Sequence, residues 1–216
     1  MKRISILAAI AAGFVAPAVM AYPGSPDSGL TLYGGAAYMT IDDGGGNSVK
    51  PKGYDLGARL TMVSTMGLQG AIDYTHFSGT KSGVDADQDE IRGTIGYGFP
   101  VGANAKIYAE GGYESARLKL SDSGTTDSET FKGPYFGLGG NAQIAPAINA
   151  YGRLGYLSVK PDGGDSASGP DVLAGLGFQL NSAVSLIVEY RYLDLSDNGA
   201  SIKYQNVNAG VKFSFQ

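Results

Sequence analysis

Ten segments between residues 30 and 215 share one pattern, in which apolar residues alternate with polar residues or glycine until turn residues close the segment. In the last segment, 206–215, every second residue from Val207 to Phe215 is apolar, and polar residues or glycine lie between them. Successive side chains of a β-strand point to opposite faces, so each segment would have one apolar and one hydrated face. Repeated segments of this kind predict a transmembrane β-barrel.

The fold class that follows is all-β: a closed antiparallel transmembrane β-barrel with ten strands, and with eight strands as the alternative count. An even number of strands is typical of closed single-chain bacterial barrels and brings both ends of the barrel to the same side, here the periplasm. The predicted strands are 30–41, 53–63, 67–77, 89–99, 104–118, 131–143, 147–159, 171–180, 184–195 and 204–215.

The connections between these segments form two populations. Those after the second, fourth, sixth and eighth strands are short, whereas the other five are longer and rich in Gly, Ser, Asp and Lys. Short periplasmic turns opposite longer external loops are typical of outer-membrane barrels. The predicted external loops are 40–52, 78–88, 119–130, 160–170 and 196–203.

The N-terminus predicts export. Lys2 and Arg3 precede an apolar run over 4–15, and Val19-Met20-Ala21 follows as a small-residue cleavage site, which together indicate a secretory signal peptide. The apolar run is shorter than the roughly 20 residues that a membrane-spanning helix needs. We therefore expect a signal peptide at 1–21 and an outer-membrane β-barrel at 22–216.

Composition excludes several functions. The 16 basic and 20 acidic residues give a net charge of −4, and removal of Lys2 and Arg3 would leave 14 − 20 = −6, which does not favour nucleic acid as a partner. The chain has no cysteine and one histidine, so thiolate and multi-histidine metal sites are excluded. We expect no metal and no cofactor, and the oligomeric state stays open.

The face opposite the apolar one carries most of the charge. Seven acids and six bases nearly cancel, and the predicted lumen charge network consists of Asp55, Arg59, Asp73, Glu90, Arg92, Lys106, Glu110, Glu114, Arg153, Asp171, Glu189, Arg191 and Lys212. Hairpin pairing predicts Arg59 beside Asp73 and Arg92 beside Glu110, each one diagonal step from direct opposition. Four inward tyrosines, which face or flank inward glycines, are Tyr33, Tyr108, Tyr135 and Tyr151.

Side chains fill the lumen of eight-stranded barrels, and larger barrels open into aqueous channels, so ten strands lie between these cases. A near-neutral interior with tyrosines favours a mostly occluded lumen. The alternative is a narrow passive diffusion channel lined by the same charges.

Three motifs resemble those of bacterial outer-membrane barrels. The ending Asn208-Ala209-Gly210-Val211-Lys212-Phe213-Ser214-Phe215 resembles their terminal assembly signal, although Gln216 follows where an aromatic residue usually closes the chain. The resemblance implies that the barrel-assembly machinery reads Asn208, Gly210, Phe213 and Phe215.

The opening strand at 30–38 and the motif at 188–193 look like those of small OmpA-type, OmpX-type and opacity-type barrels, including the YfaZ-like group. The resemblance implies a structural or porin-like surface protein of the cell outer membrane, in contact with membrane lipid and lipopolysaccharide.

Two motifs raise the question of chemistry. His76 and Ser78 share a strand face, and outer-membrane lipid A deacylases are similar in using a His-x-Ser-Asn signature, but Gly79 stands here in place of the asparagine. A lipid A-modifying enzyme is therefore kept only as the second alternative for the function, and we expect that the protein is not an enzyme.

The acidic segment 85–90 has Glu90 where a calcium loop needs glycine, so we expect a solvated acidic loop.

Overall fold

The computed structural model describes residues 29–42, 48–61, 67–81, 84–102, 104–122, 125–161, 164–197 and 200–215. The signal peptide predicted at 1–21 lies outside these residues. Within them, every regular element is a β-strand, and no helix is long and apolar enough to span a bilayer.

Ten long strands and one two-residue strand follow one another along the chain. They are β1 (Gly29–Asp42), β2 (Ser48–Val49), β3 (Lys52–Thr61), β4 (Leu68–Lys81), β5 (Val84–Pro100), β6 (Ala105–Asp122), β7 (Thr125–Ala145), β8 (Ile148–Pro161), β9 (Ala167–Gln179), β10 (Val184–Asp197) and β11 (Ala200–Phe215). Consecutive long strands pair antiparallel, β1 pairs with β3 and β11, and β2 pairs only with the end of β1. The ten long strands form the closed antiparallel barrel that the alternation predicts.

Both described ends of the chain lie at one end of the barrel. Leu30 pairs with Phe215 there, beside the connections after β3, β5, β7 and β9, and we call this the turn end. The opposite end, which carries the connections after β1, β4, β6, β8 and β10, is called the loop end.

Four of the five predicted external loops are mostly strand. Within 160–170, β8 continues to Pro161 and β9 begins at Ala167, and within 196–203, β10 continues to Asp197 and β11 begins at Ala200. β4 continues to Lys81 and β5 begins at Val84, so most of the segment 78–88 is a paired hairpin and the prediction of a solvated acidic loop at 85–90 is wrong. In the same way, β6 continues to Asp122 and β7 begins at Thr125 within the predicted loop 119–130. The outward face of a strand is apolar only where it contacts lipid. Strands that continue past the bilayer therefore lose the apolar–polar alternation in the sequence, while their backbone hydrogen bonds continue.

The outward face carries an apolar belt bounded by aromatic residues. Ile95, Leu138, Leu154 and Phe136 are among the most exposed apolar side chains, each at least 65% exposed. Tyrosines border the belt toward the loop end, and tyrosine rings are well placed where hydrocarbon meets headgroups. These outward tyrosines, called the tyrosine girdle below, are Tyr38, Tyr54, Tyr74, Tyr113, Tyr156, Tyr190 and Tyr192.

Inward tyrosines lie over glycines, as the sequence predicts. A Cβ atom added at Gly57 would come within 2.0 Å of the Tyr33 ring, and one added at Gly175 within 2.4 Å of the Tyr151 ring. Tyr135 lies over both Gly137 and Gly155, with calculated approaches of 2.0 and 2.5 Å. The glycines therefore provide the volume that the aromatic rings occupy inside the barrel.

We expect the substitution Gly155→Ala to lower the free energy of unfolding by about 1–3 kcal/mol, because the added methyl group overpacks the Tyr135 ring. Urea unfolding of the refolded chain in detergent micelles measures the change. Gly93→Ala is the matched control, since its Cβ would have no atom within 4 Å. Equal destabilisation by both substitutions would contradict this packing argument.

Candidate functional site: the barrel lumen

The lumen is filled by three successive layers of side chains. Apolar residues occupy the loop end, charged residues occupy the middle, and tyrosines with amides and lysines occupy the turn end. In a closed barrel of this size the lumen is the place where transport or ligand binding would occur.

The layer at the loop end is an apolar cluster that the sequence analysis missed. It is built from the loop-end halves of the strands, and Phe77, Phe131, Leu157 and Leu193 in it are at most 1% exposed. The other members, which with these four form what we call the apolar plug, are Ala37, Met39, Ala116, Leu118, Tyr135, Val159, Ala167, Leu195 and Tyr204. The signal was present in the sequence as the alternation at 157–160, Leu-Ser-Val-Lys, whose apolar residues continue the inward phase of β8.

Asp171 on β9 is the centre of the middle layer. Its carboxylate accepts two hydrogen bonds from Arg191, at 2.6 and 2.7 Å, in the planar fork geometry that guanidinium and carboxylate groups favour. Arg153 Nη2 and Arg92 Nη1 donate to the same carboxylate at 3.2 and 3.3 Å. One acid therefore holds arginines from three other strands, β5, β8 and β10.

Two glutamates of β6 complete the arginine pairing. Arg92 Nε donates to Glu114 Oε2 at 2.7 Å, Arg92 Nη2 contacts the same oxygen, and Arg153 Nη1 donates to Glu110 Oε1 at 3.2 Å. The prediction of Arg92 beside Glu110 is therefore wrong, because the β5–β6 register sets Arg92 opposite Glu114 and Glu110 opposite Gly96.

Tyr135 fills the space between two of these arginines. The guanidinium carbons of Arg92 and Arg153 lie 4.7 and 4.9 Å from the centroid of its ring, within the range of a cation–π contact. The ring is fully buried and also belongs to the apolar plug, so Tyr135 joins the two layers.

The structure distributes the rest of the predicted charge network unevenly. Asp55, Asp73 and Glu90 are buried on β3, β4 and β5, and Glu90 lies 3.9 Å from Arg92. On the other side, Glu189 accepts hydrogen bonds from Tyr151 and from Asn208. Nearer the turn end, Lys212 is buried and Lys106 is half-buried. For Arg59 the structure describes the backbone, which pairs with Ala71 and so lies one diagonal step from Asp73.

Several buried polar atoms on the β3, β4 and β11 side have no hydrogen-bond partner. They include Asp73 Oδ1, Thr75 Oγ1, Asn206 Oδ1 and both carboxylate oxygens of Asp55. Buried polar groups are normally satisfied by protein or by ordered water. The arginine side also has such atoms, among them Glu114 Oε1 and Arg153 Nε, so both sides of the middle layer have polar atoms that ordered water would satisfy.

Comparison with known proteins identifies the family. The model of the outer membrane protein β-barrel domain matches residues 6–166, which is more than half of the chain. The chain belongs to this family. It is a transmembrane β-barrel protein of the bacterial outer membrane.

Solved outer-membrane barrels share the fold at low sequence identity. Neisserial surface protein A is 18% identical with a TM-score of 0.51, over 86% of this chain and 97% of that one. The outer membrane protease OmpT of Escherichia coli is 14% identical with a TM-score of 0.51, over 91% and 99%. An outer membrane channel of Pseudomonas putida F1 is 10% identical with a TM-score of 0.52, over 94% and 100%. No curated protein matches the chain.

The residues of the terminal motif occupy the seam and the outer surface of the barrel. Asn208 is buried and donates to Glu189, whereas Phe213 and Phe215 face outward and are about half exposed. Gly210 lies opposite Gly35 across the β1–β11 seam, where a Cβ on Gly210 would come within 2.4 Å of the Gly34 carbonyl oxygen. The two phenylalanines are therefore accessible from outside the barrel.

His76 lies on the outer surface, not in the lumen. Its Nδ1 is 3.0 Å from Asp89 Oδ1, the Tyr74 hydroxyl donates to the same oxygen at 2.6 Å, and the Tyr54 ring lies 5.3 Å from the imidazole. Among the described residues no hydrogen bond joins His76 to Ser78. The described residues also contain no group of three or more acidic or histidine side chains suited to a metal ion.

We expect Asp171→Asn to lower the free energy of unfolding by about 3–5 kcal/mol, because Arg191 and Arg153 would keep buried charge without its main partner. The change is measured by urea titration. The fraction of folded protein at each urea concentration is read from the faster band on unboiled gels, which boiling abolishes. Asp89→Asn is the control, since its side chain is 51% exposed and should change stability by about 1 kcal/mol or less. Similar effects of the two substitutions would contradict a central role for Asp171.

Proposed function

We propose that this outer-membrane barrel is a structural surface protein whose lumen is closed to ions and solutes. The observation that carries the proposal is that two layers of buried side chains, the apolar plug and the network centred on Asp171, lie one after the other along the lumen. A solute that entered from the loop end would have to displace fully buried side chains such as Phe131 and Leu157 before it reached the arginines.

The energetics support closure. Truncation of a buried aromatic or aliphatic side chain to alanine costs about 2–5 kcal/mol, so transient displacement of several such side chains is rare. Arg92 and Arg153 are each held by ion pairs to both β6 and β9, so a single rotamer change does not open the middle layer.

We expect the refolded chain to give no resolved unitary currents in a planar lipid bilayer. Phe131→Ala and Asp171→Asn, which each weaken one layer, should also stay closed because the other layer remains, and the double variant should leak. Phe136→Ala is the matched control, since this phenylalanine points to lipid and is 65% exposed. Stable currents through the unmodified chain would contradict the proposal.

A narrow passive channel is the second candidate. It is favoured by the polar atoms without partners on the β3, β4 and β11 side, which could line a file of water past the arginines. In that case, unitary currents should be present and should change when Glu110→Gln removes a charge beside Arg153.

We also propose that the protein is not an enzyme and that its partners are outer-membrane lipid, lipopolysaccharide and the barrel-assembly machinery. The exposure of Phe213 and Phe215 supports recognition of the terminal motif during assembly. Unaltered lipid A in mass spectra of cells that overproduce the protein would support the absence of enzyme activity, and a change that His76→Ala abolishes would contradict it.

A further inference from the structure

One sector of the outer surface has positive charge without matching negative charge. On the loop-end side of the tyrosine girdle, Lys132 on β7 and Lys160 on β8 point outward and are exposed. They are directly opposed in the antiparallel register of the two strands. Opposed residues have Cβ atoms about 4.5–5.5 Å apart, and like charges in such a pair destabilise the sheet.

The neighbouring strands do not supply a counter-charge to these lysines. The outward residues of β7, β8 and β9 within the described ranges contain no carboxylate. Ser115 lies opposite Lys132 on β6, and Arg117 lies one diagonal step away. Among the described residues neither lysine forms an ion pair.

Three other outward bases near the loop end have acids opposite them, whereas Lys52 on β3 lies between Tyr38 and Ser78. Arg117 is opposed by Asp89 and Lys119 by Asp87 across β5 and β6. Lys203 on β11 is opposed by Asp42 on β1 and by Asp194 on β10. Lys132 and Lys160 differ from these bases because each has the other lysine directly opposite it.

The position of the pair relative to the membrane indicates what could neutralise it. Lys160 lies two outward positions beyond Tyr156 on β8, and Lys132 lies two outward positions beyond Phe136 on β7. Tyr156 and Phe136 oppose each other directly at the edge of the apolar belt. Long lysine side chains can bend along the surface toward this edge, which is the level of lipid headgroups.

We propose that Lys132 and Lys160 bind a phosphate group of a membrane lipid in the leaflet at the loop end, an inference that rests on the proposal above that membrane lipid and lipopolysaccharide are partners. A phosphate placed between the two ammonium groups turns a repulsive cross-strand pair into a bridged one. The lipid's acyl chains would then lie against the apolar belt below, along Phe136 and Tyr156.

The test uses the refolded chain in neutral detergent and follows its unfolding temperature by loss of heat-modifiable gel mobility. Added lipid A should raise this temperature, whereas dephosphorylated lipid A and inorganic phosphate at the same concentration should not. The double variant Lys132→Gln, Lys160→Gln should weaken lipid A binding by about tenfold or more. The matched control Lys52→Gln, Lys203→Gln removes the same charge from other strands and should bind lipid A as the unmodified chain does.

The charge reversal Lys132→Glu distinguishes a specific phosphate site from non-specific attraction between anionic lipid and a basic protein surface. It should raise the unfolding temperature without lipid, because it replaces repulsion with an ion pair to Lys160, and it should abolish the further increase with lipid A. The proposal is overturned if dephosphorylated lipid A or inorganic phosphate alone stabilises the chain equally. It is also overturned if the control variant loses as much affinity as the Lys132 and Lys160 variant.

Discussion

Backbone pairing is the constraint on which the rest of the structure depends. In hydrocarbon, each peptide N–H and C=O without a partner costs several kcal/mol, so a sheet can cross the bilayer only if its edges are joined. The β1–β11 ladder joins them over Leu30–Asp42, and the Gly35–Gly210 pair lets the two strands approach closely at the seam. Once the sheet is closed into a barrel, alternate side chains of each strand point outward or into the lumen.

The same period explains what could be predicted from the sequence and what could not. Strand number and facing follow from alternation alone, because one face meets lipid. Beyond the tyrosine girdle the environments reverse: Phe131 and Leu157 point inward and are apolar, whereas Lys132 and Ser158 point outward and are polar. The inward phase continues unchanged through β7 and β8. The polar composition of extensions such as 119–130 led to the prediction of loops, although the hydrogen-bonded ladder continues through them. The apolar plug was missed for a different reason: all of its residues except Ala167 lie within the predicted strands, but they gather into one cluster only when the ends of seven strands meet in the closed barrel.

The charged layer was predictable as a set of inward residues but not as a set of contacts. Hairpin neighbours can be estimated from turn lengths, and the two-residue register shift that sets Arg92 directly opposite Glu114, and not one diagonal step from Glu110, arises from the length of the β5–β6 connection. The contact of Arg92 with Asp171 joins residues 79 positions apart across the lumen. Such a contact depends on strand tilt and stagger around the whole barrel, which no local pattern encodes.

The arginine network meets two requirements at once: the lumen is filled with side chains, and no strand becomes a long apolar run. A lumen filled by aliphatic side chains would make each strand apolar on both faces, and long apolar runs are taken up as membrane helices during export. Arginine fills a comparable volume, and pairing with Asp171, Glu110 and Glu114 meets the cost of burying its charge. The charged residues of the lumen contribute to the near-zero mean hydropathy of the chain, −0.05. The apolar plug is compatible with the second requirement because its residues lie on strand extensions whose outward face is polar.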